Sequence, residues 1–341
     1  MISVSLCMIV KNEESVLARC LDSFAPLVDE IVIVDTGSTD STKDIAARYT
    51  DKIYDFSWIG DFAAARNFAF SKTNCDYIYS ADADECIDEE NAKKFMALKE
   101  VMDEQVEMVQ MWYVNRHEHR TTDNYEKDLR PKLFKRLRSF VWIDPVHESV
   151  RLDPLVFDSD IEILHMPQGL HSGRDFAIFA DKLSKGERLS NKLMHMYAQE
   201  LFLSGADADF IQAAPFFENL IYDASCREDE RMEAYCVLAR AARIRKDTDA
   251  FFKWALKNIS IKPCAEMCCE IGHYYYEAGD PEEASVWFIN AHQETEAVLK
   301  ADATGKEPIG MLAKCYERLA KEHPEMKDAF LKMAVSYKAM L

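Results

Sequence analysis

Three short apolar segments each end in a cluster of polar and acidic residues, and this arrangement predicts a parallel α/β sheet. The apolar segments and the polar clusters that follow them are 4–10 with 11–14, 30–34 with 35–40, and 77–79 with 82–85. The first two segments are short and rich in β-branched residues, which is typical of strands buried on both faces. Residues 14–27 and 41–49 have the apolar spacing of helices, so strand and helix alternate. Since ligands bind beyond the carboxyl ends of parallel strands, we expect the three polar clusters to share one crevice.

The segment Asp82-Ala83-Asp84-Glu85 is the most informative of these clusters. Two carboxylates one residue apart at a strand end point to the same side, because side-chain direction repeats every two residues. Such oxygen ligands suit Mg²⁺ or Mn²⁺ that also holds substrate phosphates. We predict Asp84 as a metal ligand and Asp82 as a ribose or second metal contact. Glu85 either supports these ligands or starts a helix. Taken alone, Asp-x-Asp also occurs in solvated loops, and the other two clusters favour the site.

Four motifs follow one another in the first 90 residues. They are Ser5-Leu6-Cys7-Met8-Ile9-Val10-Lys11-Asn12-Glu13-Glu14, Val34-Asp35-Thr36-Gly37-Ser38-Thr39-Asp40-Ser41-Thr42, Asp61-Phe62-Ala63-Ala64-Ala65-Arg66-Asn67 and Asp82-Ala83-Asp84-Glu85. Together they resemble family 2 glycosyltransferases of the GT-A fold. The later Val146-His147-Glu148 resembles a bacterial subgroup in which helical repeats follow the transferase, and this subgroup includes the peptide S-glycosyltransferases of the sublancin type. The resemblance weakens beyond about residue 170.

The resemblance implies a nucleotide-sugar site. Asp35 would accept the imide N–H of a uracil, although capping of the following turn is its alternative role. Asp61 and Arg66 would contact the base and the diphosphate, and a cation facing phosphate is what an acidic crevice needs. Asn12 and Glu13, in the first motif, are expected to line the nucleotide-sugar site.

A second set of candidates lies between residues 140 and 171. His147 would complete a Mn²⁺ shell or bond a phosphate. Glu148 is the candidate general base, and Asp144 is its rival. His165, after an apolar segment, is a candidate metal or diphosphate contact with a structural role as the alternative, and His171 has the same two interpretations.

The sequence does not decide the roles of a basic stretch and of an aromatic pair. The basic residues are Arg130, Lys132, Lys135, Arg136 and Arg138. We expect one or two of them to face phosphate and most to be solvated. Trp112 and Tyr113 either stack on a sugar or belong to the core, because they lie in the alternating segment 108–114.

The second half of the chain has helical periodicity. Residues 265–293 predict a helix that ends at Ala278-Gly279 and a second that begins at Pro281, in the manner of a tetratricopeptide repeat. Weaker copies lie at 197–220, 234–256 and 312–334, and only the interval from Asp247 to Asp280 is near the usual repeat length. An ordinary helical bundle is the alternative. In either case the helices would form a groove for a peptide or for a second subunit, which would give a homodimer.

Composition narrows the functional class. A net charge of −19 argues against nucleic acid or an anionic membrane as a general partner. The glycine patterns of dinucleotide and P-loop sites are missing, and no segment reaches transmembrane length. The first ten residues lack a basic leader and fit a strand better than a signal peptide. The ten cysteines lack metal-finger spacing, and Cys264, Cys268 and Cys269 are expected to be core thiols, which favours a reducing, cytoplasmic location.

The sequence therefore predicts an α/β GT-A domain over residues 1–175 and an all-α repeat domain over 176–341. The expected activity is inverting, dependent on Mn²⁺ or Mg²⁺, and uses a UDP-sugar of the glucose or N-acetylglucosamine type. The expected acceptor is a peptide or protein. The alternatives are a transferase that acts on a cell-envelope saccharide and a binding module whose transferase site has decayed.

Overall fold

The computed structural model describes residues 1–115, 127–138, 140–146, 148–150, 154–166, 172–187, 189–224 and 226–341. These residues form two compact units. The first contains the described residues up to 166, and the second contains residues from 172 onward. Among the described residues, no helix is both long and apolar enough to cross a lipid bilayer.

The first unit is built on an eight-stranded sheet with the order β3-β2-β1-β4-β7-β6-β10-β5, and β8 and β9 form a separate pair. The strands are β1 (Val4–Val10), β2 (Glu30–Asp35), β3 (Ile53–Asp55), β4 (Tyr77–Ala81), β5 (Glu85–Cys86), β6 (Met108–Asn115), β7 (Lys127–Lys135), β8 (Trp142–Ile143), β9 (Ser149–Val150) and β10 (Val156–His165). The helices of this unit are α1 (Leu17–Phe24), α2 (Thr42–Ala46), α3 (Phe62–Phe70) and α4 (Glu89–Val101).

Four of the seven strand pairings described for the sheet are parallel. Strand β1 runs parallel to β2 and β4, β2 runs parallel to β3, and β6 runs parallel to β10. Strand β7 is antiparallel to both of its neighbours, and β5 is antiparallel to β10. The prediction of a mostly parallel α/β domain followed by an all-α region is therefore confirmed. The carboxyl ends of β1, β2 and β4 lie at one edge of the sheet, where Val10 pairs with Asp35.

The first two helices are shorter than their apolar spacing predicts. Helix α1 covers residues 17–24 of the predicted 14–27, because Glu13 closes a turn with the amides of Val16 and Leu17 before the helix begins. A 3₁₀ turn containing Pro26 follows the helix. Helix α2 covers residues 42–46 of the predicted 41–49. The predicted apolar face of α1 is nevertheless buried in the core, as expected for an amphipathic helix.

At the opposite, amino-terminal end of the strands, a buried carboxylate, Glu30, lies at the start of β2. Its oxygens accept hydrogen bonds from the Ser5 hydroxyl, from Lys52 Nζ at 2.5 Å, and from the backbone and side-chain nitrogens of Asn74 at 2.8 and 2.9 Å. Burial disfavours the charged form, but these hydrogen bonds outweigh it and lower the pKa of Glu30 to about 2. The network connects β1 and β2 to the segment that precedes β4.

The second unit consists of helices. They are α5 (Ser172–Ser184), α6 (Asn191–Ser204), α7 (Asp207–Ile221), α8 (Glu228–Ile244), α9 (Thr248–Ile261), α10 (Ala265–Ala278), α11 (Pro281–Ile289), α12 (Lys306–Glu322) and α13 (Lys327–Lys338). The predicted turn between α10 and α11 is confirmed. Gly279 closes α10 with φ +92°, and the Asp280 side chain caps α11 by accepting from the amide of Glu283 at 3.0 Å.

Contacts at a constant sequence separation show how these helices stack. Six side-chain contacts join residues 34 positions apart: Arg243–Glu277, Lys262–Glu296, Glu266–Lys300, Cys269–Ala303, His273–Glu307 and Ile211–Arg245. This separation equals the tetratricopeptide period. The sequence copies look irregular because loop lengths and helix starts vary. These six contacts nevertheless share one spacing, whereas His195–Glu233 and Tyr276–Arg318 are 38 and 42 residues apart.

Candidate functional site

The loops after β1 and β2 are bound to each other at the carboxyl edge of the sheet. Asn12 Oδ1 accepts from the amide of Thr39 at 2.8 Å, and the Asn12 amide donates to Ser38 Oγ at 2.9 Å. The amide of Glu13 donates to Thr42 Oγ1 at 2.7 Å. Asn12 has φ +55°, a conformation that Asn adopts more readily than most residues. Both predicted nucleotide-sugar residues therefore join the two loops at this end of the strands.

Asp35 ends β2 and is only 2% exposed. Its Oδ1 accepts from the amides of Gly37 and Ser38, each at 3.0 Å, and Gly37 has φ +105°. The other oxygen, Oδ2, is buried and has no hydrogen-bond partner in the described part of the chain. One oxygen thus caps the turn, and the second is an acceptor that a ligand can use.

Asp84 and His165, two of the predicted metal ligands, contact each other. Asp84 Oδ2 lies 3.0 Å from His165 Nε2, and the Asp84 carbonyl accepts from the amide of Met166 at 2.9 Å. Pairing of β5 with β10 produces this contact, because Glu85 lies opposite His165. No group of three or more His, Cys, Asp and Glu side chains within the described ranges is placed to hold a metal. Mg²⁺ in nucleotide sites is often held by only one or two carboxylates together with substrate phosphates, so Asp84 could serve as such a ligand, with the His165 imidazole beside it.

Arg66, on α3, is the centre of a charged network. Its Nε donates to Glu148 Oε1, its Nη1 to Ser80 Oγ at 2.8 Å, and its Nη2 to Asp82 Oδ1 at 2.8 Å. Burial disfavours the charged guanidinium, but the Glu148 and Asp82 carboxylates outweigh it and raise the pKa of Arg66. Arg66 acts in turn on Asp82: burial disfavours the carboxylate, yet Arg66 and then Lys132 lower the pKa of Asp82. All three guanidinium nitrogens are engaged by protein.

The rest of the third motif fastens the segment around β8. Asp61 Oδ1 caps α3 by accepting from the amide of Ala64 at 2.9 Å. Asn67 bonds both backbone groups of Trp142, accepting from its amide at 2.8 Å and donating to its carbonyl at 3.0 Å. Asp144 follows β8 with φ +73°. Sequence reasoning gave Asn67 no role, although a side-chain amide is the group that satisfies a donor and an acceptor together.

Glu85 lies in the short strand β5 and does not start a helix. It is fully buried, and Oε1 accepts from Lys132 Nζ on β7, while Oε2 has no partner among the described atoms. Burial raises the pKa of Glu85 to about 7, with Lys132 opposing the rise and the nearby Asp82 adding to it. Helix α4 begins only at Glu89, after the Asp88 cap. Lys132 belongs to the basic stretch that was predicted to be mostly solvated, but it is buried and part of the site.

Tyr113 is a core residue in contact with three charged or polar side chains. It is 3% exposed, and its ring centroid lies 3.9 Å from Arg130 Cζ, 5.0 Å from Lys132 Nζ and 4.9 Å from the His165 ring. The core interpretation of Tyr113 is therefore correct. The remaining basic residues of the stretch bond elsewhere: Arg136 donates to the Cys75 carbonyl, Arg138 pairs with Glu107, and Lys135 donates to the Glu104 carbonyl. His147 and His171 lie outside the described residues.

Comparison with known proteins identifies the family of the first unit. The model of the family "Glycosyl transferase family 2" matches residues 5–151. This part of the chain is a family 2 glycosyltransferase domain. The match spans the edge that carries Asp35, Asp82, Asp84, Arg66 and Glu148, and it confirms the resemblance that the four motifs indicate.

Proteins from several bacteria are similar to part of this chain. A TPR repeat-containing protein of Synechococcus elongatus is 47% identical over 85 residues, which is 25% of this chain and 21% of the relative. The glycosyltransferase SunS of Bacillus subtilis is 34% identical over 97 residues, 28% of this chain and 23% of the relative. These matches thus span under a third of each relative. A crystal structure of glucosyl-3-phosphoglycerate synthase from Mycobacterium tuberculosis, with Mn²⁺, UDP and glucosyl-3-phosphoglycerate, aligns with TM-score 0.41 and 16% identity, covering 56% of this chain and 82% of that one.

Proposed function

We propose that this protein transfers a sugar from a UDP-sugar, of the glucose or N-acetylglucosamine type, to a peptide or protein with inversion at the anomeric carbon. The observation that carries the proposal is the unpartnered Oδ2 of Asp35 at the end of β2. A buried acceptor without a donor is costly, so a ligand N–H is the natural partner. Uracil presents one imide N–H. Guanine also presents a ring N–H, so GDP is the competitor that matters most.

Asp84 and His165 would hold Mn²⁺ or Mg²⁺. A bound divalent cation supplies positive charge that offsets the charge developing on the leaving diphosphate. Asp82 also borders this region, but its Oδ1 is occupied by Arg66. Asp84 is therefore the main metal ligand in this proposal, and Asp82 contacts the ribose or the metal through Oδ2.

Glu148 is the general base in this proposal. Arg66 Nε fixes Oε1, and Oε2 is the oxygen that takes the proton from the acceptor. The acceptor atom then forms a bond to the anomeric carbon, and the bond from that carbon to the phosphate oxygen breaks with its electron pair leaving on the diphosphate. Asp144, held two residues after Trp142 by the same Asn67 anchor, is the rival base.

The helical unit supports a peptide or protein acceptor. Its successive helix pairs contact one another with a 34-residue spacing, as in arrays that form extended binding grooves. The match to a TPR repeat-containing relative supports the same interpretation. A cell-envelope saccharide is the competing acceptor, and transfer assays with both acceptor types distinguish them.

The test is titration calorimetry of the full chain with UDP, GDP and ADP, with and without Mn²⁺. We expect UDP to bind most tightly and Mn²⁺ to strengthen its binding. Asp84→Ala should remove the Mn²⁺ effect and turnover, whereas the matched control Asp51→Ala, at an exposed position, should behave as the parent. Tighter binding of GDP would overturn the uridine assignment. Full activity of Asp84→Ala in EDTA would overturn the metal assignment.

A further inference from the structure

Cationic side chains can stabilise a leaving diphosphate in addition to a metal ion, but two of the basic side chains near the predicted nucleotide site are already paired with carboxylates. Arg66 donates from three nitrogens to Glu148, Ser80 and Asp82. Lys132 is 7% exposed at its side chain and is paired with the buried Glu85. Neither side chain therefore offers an uncompensated positive charge to a ligand.

Arg130 is also paired with a carboxylate, that of Asp128, but it differs from both in its exposure and in its terminal nitrogens. It lies two residues before Lys132 on β7, and its side chain is 39% exposed. Its Nε donates to Asp128 Oδ2 at 2.9 Å, and its Cζ lies 3.9 Å from the centroid of the Tyr113 ring. Within the described residues, neither Nη1 nor Nη2 has a hydrogen-bond partner. The guanidinium is thus held at one nitrogen and over one ring, with two terminal donors available.

The position of Tyr113 connects this guanidinium to the predicted metal ligands. The same ring lies 4.9 Å from the His165 ring, and His165 contacts Asp84. A phosphate held by a cation at the Asp84–His165 pair would therefore have Arg130 close by. Arginine suits this task because its planar fork can donate two parallel hydrogen bonds to phosphate oxygens while its face stacks on an aromatic ring.

We propose that Arg130 binds the diphosphate of the donor and that Tyr113 is the positioning residue that holds its guanidinium. This inference rests on the proposed function, since it concerns the same nucleotide-sugar site. It assigns the phosphate contact to β7, whereas the four sequence motifs place it on Arg66 of α3. Arg66 instead fixes Glu148 and Asp82.

The experiment is a ligand series of uridine, UMP and UDP, titrated into the full chain in EDTA and again with Mn²⁺. Arg130→Gln should weaken UDP binding about 10- to 100-fold, the range for one charged hydrogen-bonding group, and leave uridine binding unchanged. Arg130→Lys should recover only part of the loss, because it keeps the charge and loses the fork. Arg138→Gln is the matched control, since Arg138 pairs with Glu107 at the start of β6, the end away from Tyr113.

Variants of Tyr113 separate stacking from the hydroxyl group. Tyr113→Phe keeps the ring that contacts Arg130, so it should bind UDP more tightly than Tyr113→Leu does. Tyr113→Leu should reproduce part of the Arg130→Gln loss without changing uridine binding. If Arg130→Gln keeps the parent ratio of UDP to uridine affinity, the Arg130 inference is wrong and the proposed function stands. If the parent itself does not prefer UDP to uridine, the proposed function fails. Thermal unfolding of each variant shows whether it is folded, and Arg130→Lys provides the answer should Arg130→Gln not fold.

Discussion

Replacement of Asp35 by Asn should change which pyrimidine nucleotide the protein prefers. Asp35 Oδ1 accepts from the amides of Gly37 and Ser38, and the side-chain oxygen of Asn can keep both hydrogen bonds. The NH₂ group of Asn then takes the place of Oδ2, the oxygen without a partner. The substitution therefore turns an acceptor into a donor and leaves the turn intact.

The size of the effect follows from this exchange. A hydrogen bond from uracil N3–H to a charged carboxylate contributes about 1.5–3 kcal/mol, so UDP should bind about 10- to 150-fold more weakly to Asp35→Asn. Cytosine N3 is an acceptor and would meet the new donor. We therefore expect CDP to gain relative to UDP, with the ratio of the two affinities changing by at least about tenfold.

Titration calorimetry with UDP, CDP and GDP at fixed Mn²⁺ measures these affinities. Asp51→Asn, the same substitution at an exposed position before β3, is the control and should leave all three unchanged. Thermal unfolding should be alike in both variants. An Asp35→Asn protein that binds UDP within about twofold of the parent, with the same preference over CDP, would refute the assignment of Oδ2 to the base.

Three further predictions concern the base, pH dependence and the helical unit. Glu148→Gln should reduce kcat for a hydroxyl acceptor about 10²–10⁴-fold and leave UDP affinity unchanged. Steady-state kinetics measures kcat and calorimetry measures the affinity, and an unchanged kcat would contradict the assignment of the base. The pKa of Glu30 is lowered to about 2, so the stability that its charged form contributes is complete above pH 4.5 and is lost as the pH falls towards 2. Glu30→Gln should therefore lower the free energy of unfolding in urea by about 3 kcal/mol at pH 7 and by little at pH 2. Equal losses at the two pH values would contradict this prediction. In Gly272→Ala the new Cβ would lie 2.8 Å from Phe288 Cζ, so this variant should be destabilised by about 1–3 kcal/mol. In Gly310→Ala the new Cβ meets no atom within 4 Å, so this variant should be stabilised by about 0.5–1 kcal/mol. Urea unfolding measures both changes, and changes of the same sign would contradict the prediction.

Local patterns were sufficient to predict the strands and the carboxyl-edge motifs. Segments 4–10 and 30–34 are strands, and Gly279 with Pro281 marks the turn between α10 and α11. Each of these features depends on neighbours in sequence: β-branched composition, a left-handed cap, or a proline at the first helical position. The shorter extents of α1 and α2 show the limit, because an apolar spacing does not reveal where a turn replaces the helix.

The partners within the site depend on strand register, which the sequence does not show. Arg66 and Glu148 are 82 residues apart, Asp84 and His165 are 81 apart, and Glu85 and Lys132 are 47 apart. Asp84, His165 and Arg66 were predicted one at a time. The Asp84–His165 contact arises only when β5 joins β10, and the Glu85–Lys132 contact only when β7 inserts next to β4. The sequence therefore does not show that the Arg66 nitrogens bond to protein groups, or that Lys132 is the member of the basic stretch that pairs with a buried carboxylate.

The 34-residue spacing that recurs among contacts in the helical unit has an evolutionary consequence. A side chain on one helix pair meets the equivalent position of the next pair 34 residues later, as His273 meets Glu307 and Arg243 meets Glu277. A duplication or deletion of one whole repeat therefore joins surfaces that already fit, because each pair contacts mainly its neighbours. Such a unit can lengthen or shorten in descendants by recombination, with no new core to be assembled, while the sheet that carries the nucleotide motifs keeps its own sequence constraints.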